Sequence, residues 1–241
     1  MKQTENTVIV LHTTNYREAD RMLTLFSPVH GRLEAIARGC RRPKSPLLNA
    51  AEIFALGDYE LYEKNGRHTV VSASLIETFY PLRNDYDRLT VGTYLLGLCN
   101  AVVQSGQSAQ NLFMLLLHTL SRLTFTDQEW RPLLCGFLIH FAQDQGIQPR
   151  LRHCIRCGQA IAEEDNCFFD SISGGAVCRS CHVQGDQAIS AAQRRFLMEA
   201  LRTGSALWVN SPERHAPVGL MRRYVEAHLG SRLKSGLMLP D

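Results

Sequence analysis

Apolar and polar residues alternate with a period of two through the first third of the chain, after which the period lengthens to that of a helix. From Thr7 to about Phe79, β-branched and aromatic residues fall in short runs separated by turn formers. The runs predict five strands, at approximately 7–14, 21–27, 31–38, 52–63 and 68–78. Ser27-Pro28-Val29-His30-Gly31 joins the second to the third, and Lys64-Asn65-Gly66-Arg67 is a hairpin turn carrying Asn-Gly. Ile53, Ala55, Gly57, Tyr59, Leu61 and Glu63 alternate with Phe54, Leu56, Asp58, Glu60 and Tyr62, so the fourth strand reads as half solvated. Five short antiparallel strands with one long connection fit a small closed or partly open barrel.

Pro81 closes the barrel. From Tyr86 to Gln104, Leu89, Val91, Tyr94, Leu95, Leu98 and Val102 recur at helical spacing; Ser108 to Leu123 makes a second helix. Asp127 is positioned to cap a third, which runs through Trp130, Leu134, Phe137, Leu138 and Phe141 until Gly146. Further on, Ser190 caps Ala191 to Arg202, with Phe196, Leu197 and Leu201 inward, and Pro217 opens Val218 to Leu229. The class is α+β: an N-terminal five-stranded barrel at 1–80, helices at 81–149 and 184–241 packing into one bundle, and an inserted element at 150–183.

That inserted element carries the most specific pattern of the chain. Cys154-Ile155-Arg156-Cys157 and Cys178-Arg179-Ser180-Cys181 are separated by 20 residues, 158 to 177. Two residues inside each pair let both thiolates turn onto one ion, and the span between is long enough for a hairpin to bring the pairs together, as in a structural zinc ribbon. Gly158 suits a knuckle turn, Ser173-Gly174-Gly175 supplies a turn ahead of the second pair, and Phe168 and Phe169 can cover the metal. Four thiolates close the coordination sphere and leave no position for a water or substrate. Disulfides, a redox Cys-x-x-Cys or ligands that no longer bind are the competing readings, and Cys167 or His182 could substitute for a neighbour.

Composition changes the picture in two respects. Met1-Lys2-Gln3-Thr4-Glu5-Asn6 has no apolar run behind it, so no secretion signal is expected, and eight cysteines in a reducing compartment favour metal over disulfides. The formal net charge of +3 is small, yet no acidic residue lies between Glu34 and Glu52, where Arg38, Arg41, Arg42 and Lys44 cluster with Gly39, Pro43 and Pro46. Such a loop either neutralises phosphates from a barrel face or is a solvated basic loop without consequence. A second basic group, Arg150, Arg152, His153, Arg156 and Arg179, surrounds the cysteines, and a third is C-terminal, with Arg222, Arg223, Arg232 and Lys234. Nothing catalytic assembles: nucleotide loops, the nucleophile elbow, the His-Glu-x-x-His helix and the zinc deaminase pattern are absent. His118 and His140 lie in apolar helices and read as core or boundary histidines.

Several strings then carry a resemblance. Glu18-Ala19-Asp20, Gly31-Arg32-Leu33, Arg38-Gly39-Cys40-Arg41-Arg42-Pro43-Lys44-Ser45, Gly146 and Pro149 leading into Cys154-x-x-Cys157-Gly158, and His228-Leu229-Gly230-Ser231-Arg232-Leu233-Lys234-Ser235 stand in an order that resembles the RecO family of bacterial recombination mediators. The resemblance implies an oligonucleotide-binding (OB) fold, a helical domain and an inserted zinc element with Cys154, Cys157, Cys178 and Cys181 as ligands to one structural Zn2+. It implies no enzymatic activity. The expected role is binding of single- and double-stranded DNA, annealing of complementary strands, and action with RecR at DNA coated by single-strand-binding protein (SSB) so that recombinase loads, in the cytoplasm at the nucleoid. Arg38, Arg41, Arg42 and Lys44, with Arg152 and Arg156, are the expected DNA contacts. A protein-interaction adaptor with incidental DNA binding is the alternative; an enzyme would need a pocket gathering carboxylates or histidines.

Overall fold

The computed structural model of the protein describes residues 2–203, 215–230 and 239, and the chain divides into two compact units, 1–120 and 121–241. In the first unit, β1 (Lys2–Tyr16), β2 (Asp20–Ser27), β3 (Gly31–Ala37), β4 (Leu56–Lys64) and β5 (Arg67–Glu77) form a closed barrel in the order β1-β2-β3-β5-β4. Four of the pairings are antiparallel, as expected. The closing pairing differs: β3 meets β5 in parallel, through Ala35 opposite His68 and Ile36 opposite Thr69. Alternation along a strand reports which side chains face inward and carries no signal for the direction of its neighbour, so this closure was not to be read from the pattern.

The fourth strand begins at Leu56 and not at residue 52. Residues 47–55 instead fold into turns, with the Ala51 amide donating to Leu47 O and Phe54 in the left-handed region at φ 73°. Leu47, Ala50, Ala51 and Ala55 enter the barrel core beside Val8, Val10, Leu23, Leu25, Tyr59 and Leu61, so the long connection plugs the barrel. On β4 itself Gly57, Tyr59 and Leu61 are buried and Asp58, Glu60 and Tyr62 half-buried, so one face is more solvated than the other, as the alternation implies.

A 3-10 turn (Tyr80–Asn84) leads to α1 (Tyr86–Val102), whose first turn is capped by the Asp85 carboxylate accepting from the Arg88 amide at 3.0 Å. Gly31, at φ 66°, lies where a Cβ would run into the carbonyl oxygens of Gln104 and Gln107. Its lack of a side chain lets the Gln104 carbonyl accept from the Arg32 amide at 3.1 Å. The next helix, α2 (Gln110–Phe125), sets Phe113 edge-on to Phe26 at 5.2 Å.

In the second unit α3 (Trp130–Asp144) packs against α4 (Ala191–Thr203) and α5 (Val218–His228), so helices before and after the cysteine segment share one core. Asp127 does not cap α3. The N-cap is Glu129 without a side-chain bond, and the Gln128 amide instead donates to the Thr126 hydroxyl at 3.3 Å, a local turn two residues too early for the helix. Ser190 does cap α4: its Oγ accepts from the Gln193 amide and Gln193 Oε1 from the Ser190 amide, both at 3.1 Å, a reciprocal capping box. His118 is exposed and not a core group, whereas His140 is half-buried beside Gln143 at 3.3 Å, and burial lowers its pKa. No described helix is long and apolar enough to cross a membrane.

Candidate metal centre and cationic barrel face

Between α3 and α4, β6 (Cys167–Asp170), β7 (Gly175–Val177) and β8 (Gln187–Ile189) make a small antiparallel sheet in the order β7-β6-β8. The first cysteine pair sits on a knuckle in which the Gly158 amide donates to Cys154 O at 2.9 Å and Gly158 takes φ 77°. β7 delivers the second pair, and the Ile155 amide donating to Ala176 O at 3.0 Å ties the two knuckles together. The outcome is that one ligand atom from each of Cys154, Cys157, Cys178 and Cys181 falls within 4.8 Å of the others, a group able to hold a metal ion. All eight cysteines are free thiols.

The crowding of sulfurs sets the electrostatics of the group. Burial opposes ionisation of Cys154, but the backbone amides of Cys178, Cys157 and Arg156 bring its thiol down to about 6. The Ser180 hydroxyl lowers Cys178. Cys181, beside Cys178 and Cys157, is pushed up to about 12. Four thiolates this close need a cation among them to ionise together. Cys167 lies outside the group, buried on β6. His182 is outside it too; its ring stacks on Phe168 at 3.7 Å with Nδ1 3.4 Å from Asp186. Phe169 does not share that position: it packs edge-on to Tyr224 at 5.4 Å.

Arg156 is committed to structure. Its Nη1 donates to Cys181 O at 2.6 Å and to Asp186 at 2.7 Å, and its Nη2 to Asp186 at 2.8 Å and Asp170 at 3.0 Å. Two carboxylates balance this one cation, and the guanidinium fastens the first knuckle to the second and to β6. Hydrogen bonding from Arg156 in turn holds the Asp186 carboxyl down at about 2. Arg152 is exposed and lines a cleft with Arg195, Arg202 and His215 together with Glu163 and Glu199, the last paired with Arg202. Arg232 and Lys234, and the string from Ser231 to Ser235, lie outside the described residues.

In the first unit the basic connection is held by its backbone. The Gly39 amide donates to Asp20 Oδ1 at 2.8 Å, the Arg41 amide to Ala19 O at 3.0 Å, and Arg41 Nη1 to Glu18 O at 3.0 Å. Cys40 turns inward at 1% exposure, so the loop is pinned in the middle, while Arg38, Arg41, Arg42 and Lys44 are all exposed. Arg38 also lines a cleft of about 870 Å³ with Arg17, Lys64 and Arg67, in which Asp20 is the only acidic residue. Tyr16 is on its wall, 39% exposed, with the Arg17 guanidinium 5.3 Å from its ring centroid. Arg17, Lys64 and Arg67 were not singled out by the sequence. Arg17 lies in the β1–β2 turn and Lys64 and Arg67 flank the β4–β5 turn, and only barrel closure brings those two turns beside the end of β3.

Among the described residues no carboxylate pairs with Arg17, Arg38, Arg41, Arg42, Lys44, Lys64 or Arg67, whereas Arg21 is paired with Glu52 and Arg32 with Glu34. Unpaired cations on one barrel end leave charge available to a polyanion.

Comparison with known proteins agrees with this architecture. Residues 1–79 match the family model described as Recombination protein O N terminal, and residues 83–237 the one described as Recombination protein O C terminal. A DNA repair protein RecO from Alkaliphilus metalliredigens is 36% identical over 173 residues, covering 72% of this chain and 70% of that one. One from Acetivibrio thermocellus is 34% identical over 173 residues, with 72% and 68% covered. A third, from Myxococcus xanthus, is 29% identical over 237 residues and covers 98% of this chain and 96% of its own.

Proposed function

This chain belongs to the RecO family of DNA repair proteins, and from that premise we propose that it is a non-enzymatic recombination mediator. In this reading it binds single- and double-stranded DNA, anneals complementary strands, and acts with RecR to load recombinase on single strands coated by SSB, in the bacterial cytoplasm at the nucleoid. The division of labour follows the regions read from sequence: an OB-type barrel at 1–80, helices at 81–149 and 184–241, and the ribbon at 150–183.

The observation that carries the reading is the set of cations without carboxylate partners at one end of the barrel. Annealing requires a surface that neutralises two phosphate backbones while leaving base edges free to pair, which calls for many cationic contacts and little base readout. Arg38, Arg41, Arg42 and Lys44 supply such contacts from the loop. Arg17, Lys64 and Arg67 continue them, and Tyr16 offers a ring face to an unpaired base. The test is an oligonucleotide titration across salt. Replacing Arg41, Arg42 and Lys44 with Ala flattens the slope of log affinity against log salt by about 2 to 3, at roughly 0.7 to 0.9 for each phosphate no longer neutralised. A folded triple variant with an unchanged slope rules the loop out as the DNA-binding element.

For the cysteine centre we propose one structural zinc. Tetrahedral sulfur ligands at about 2.3 Å from an ion lie about 3.8 Å from one another. Cys157 and Cys178 Sγ are 3.8 Å apart. The ion supplies a cross-link and no open coordination position. Metal analysis then finds about one zinc per chain; none, with four free thiols, refutes the assignment.

The exposed apolar side chains on and after β5, Val71 at 52%, Ile76 at 59% and Tyr80 at 63%, favour a second reading, an adaptor that recruits partners and binds DNA incidentally. Micromolar or weaker oligonucleotide affinity beside tight partner binding decides for it.

A further inference from the structure

Arg194, near the start of α4, is the largest fully buried side chain among the described residues, at 0% exposure. No described carboxylate pairs with it. A guanidinium taken out of water without a counter-ion is costly unless acceptors surround it. Here they are backbone carbonyls: Nη1 donates to Leu151 O at 3.2 Å and Ile161 O at 3.1 Å, and Nη2 donates to Ala162 O. Its Nε has no partner among the described residues.

The position of those carbonyls is what gives the residue meaning. Leu151 is on the arm entering the first knuckle and Ile161 and Ala162 are on the arm leaving it. Within that loop the Ile161 amide donates to Arg152 O at 3.0 Å and the Cys154 amide to Gln159 O at 2.8 Å. One planar fork therefore closes the neck of the hairpin whose tip carries Cys154 and Cys157. The helix that supplies it is itself fixed there, since Asn166 Oδ1 accepts from the Ala191 amide at 2.9 Å.

We propose that Arg194 is the positioning residue of the four-cysteine centre, holding the two arms at the separation that aims Cys154 and Cys157 at a common ion. The proposal rests on reading those cysteines as a metal site. Lysine is not equivalent, because a single ammonium does not reach carbonyls on both arms in one plane. Groups that orient metal ligands from behind are typically worth 10–100-fold in metal affinity. Linkage makes the effect reciprocal, so an ion bound at the tip also steadies the start of α4.

The experiment uses the full-length zinc-loaded chain, challenged with a chromophoric chelator, for the parent protein and the Arg194→Lys and Arg194→Met variants. Both variants are expected to lose zinc at roughly 10–100-fold lower chelator concentration. Hydrogen exchange on the unsubstituted protein, with and without zinc, covers the case of a variant that fails to fold. Removing the ion is expected to lower amide protection at 150–162 and in the first turns of α4 together. Parent-like zinc retention in either folded variant overturns the proposal, as does α4 protection that ignores the metal. A parent protein that holds no zinc at all overturns the metal reading beneath it, a result separable from the other two.

Discussion

Tyr59 offers a test of how the barrel holds its long connection. Its side chain has 0% exposure, and its hydroxyl donates to Ala50 O at 2.6 Å, fixing the plug formed by Leu47, Ala50 and Ala51. Tyr59→Phe removes the donor and strands a buried carbonyl, for a loss of about 1–2 kcal/mol at neutral pH. Burial also raises the pKa of the phenol well above its ordinary value of 10.0. The folded state keeps this proton where the unfolded state releases it, so the contribution is intact below about pH 10 and is lost as pH rises. An unfolded phenol titrating near pH 10 gives a loss of about 1.4 kcal/mol by pH 11. Phenylalanine has nothing to titrate. The stability difference between the two proteins, measured by urea unfolding from pH 7 to 11, should therefore shrink from about 1–2 kcal/mol towards zero, while every other titration cancels. A difference that stays constant across that range would refute the argument, for it would mean that the Tyr59 phenol ionises as easily folded as unfolded.

Four further outcomes are expected. Arg156→Met should release metal faster and lower the melting temperature while leaving the salt slope of DNA binding unchanged; a flattened slope would show Arg156 to be a phosphate contact as well. Because Arg156 holds Asp186 at about 2, the contribution of that pair is present above about pH 4 and is lost as pH falls through 2, which acid unfolding of parent and variant measures. Gly31→Ala places a methyl against the Gln104 and Gln107 carbonyls at positive φ and should cost about 2–4 kcal/mol in urea unfolding. Replacing Arg17, Lys64 and Arg67 with Glu should weaken oligonucleotide binding more than the loop triple variant does, since each change reverses a charge; binding within twofold of the parent would remove the cleft from the DNA path.

What could be read from sequence was whatever depends on neighbours a few residues away. The two cysteine knuckles, Gly158 at positive φ, the Ser190 cap and the inward face of Gly57, Tyr59 and Leu61 are set by local spacing, and spacing is written in the chain. The stretch 52–55 failed for the opposite reason. Ala55 enters the barrel core while the Phe54 ring lies toward Gly92 of α1 and Leu82, and burial on opposite sides over so few residues mimics a strand. Asp127 failed because α3 starts two residues later than its pattern suggested, with Glu129 at the N-cap and the Gln128 amide taken by the Thr126 hydroxyl. The parallel meeting of β3 and β5 depends on residues more than thirty positions apart, and with it goes the assembly of Arg17, Lys64 and Arg67 beside Arg38.

Arginine illustrates why net charge alone argues so little. Arg41, Arg156 and Arg194 are indistinguishable by composition, and two of them sit in or near the same cysteine element. Arg41 keeps most of its donors in solvent, so its charge remains available to a phosphate. Arg156 meets two carboxylates, whose combined charge exceeds its own. Arg194 meets only carbonyls, so its value lies in the geometry of its fork. A sum of +3 is thus compatible with a cationic face, because Glu52 and Glu34 pair with Arg21 and Arg32, while among the described residues Asp20 alone of the acidic groups lines the cleft that Arg38 shares with Arg17, Lys64 and Arg67. On the proposed reading, the face offered to a polyanion is set by cations that the fold leaves without a carboxylate, among them those of the 38–44 loop and of the cleft beside Tyr16.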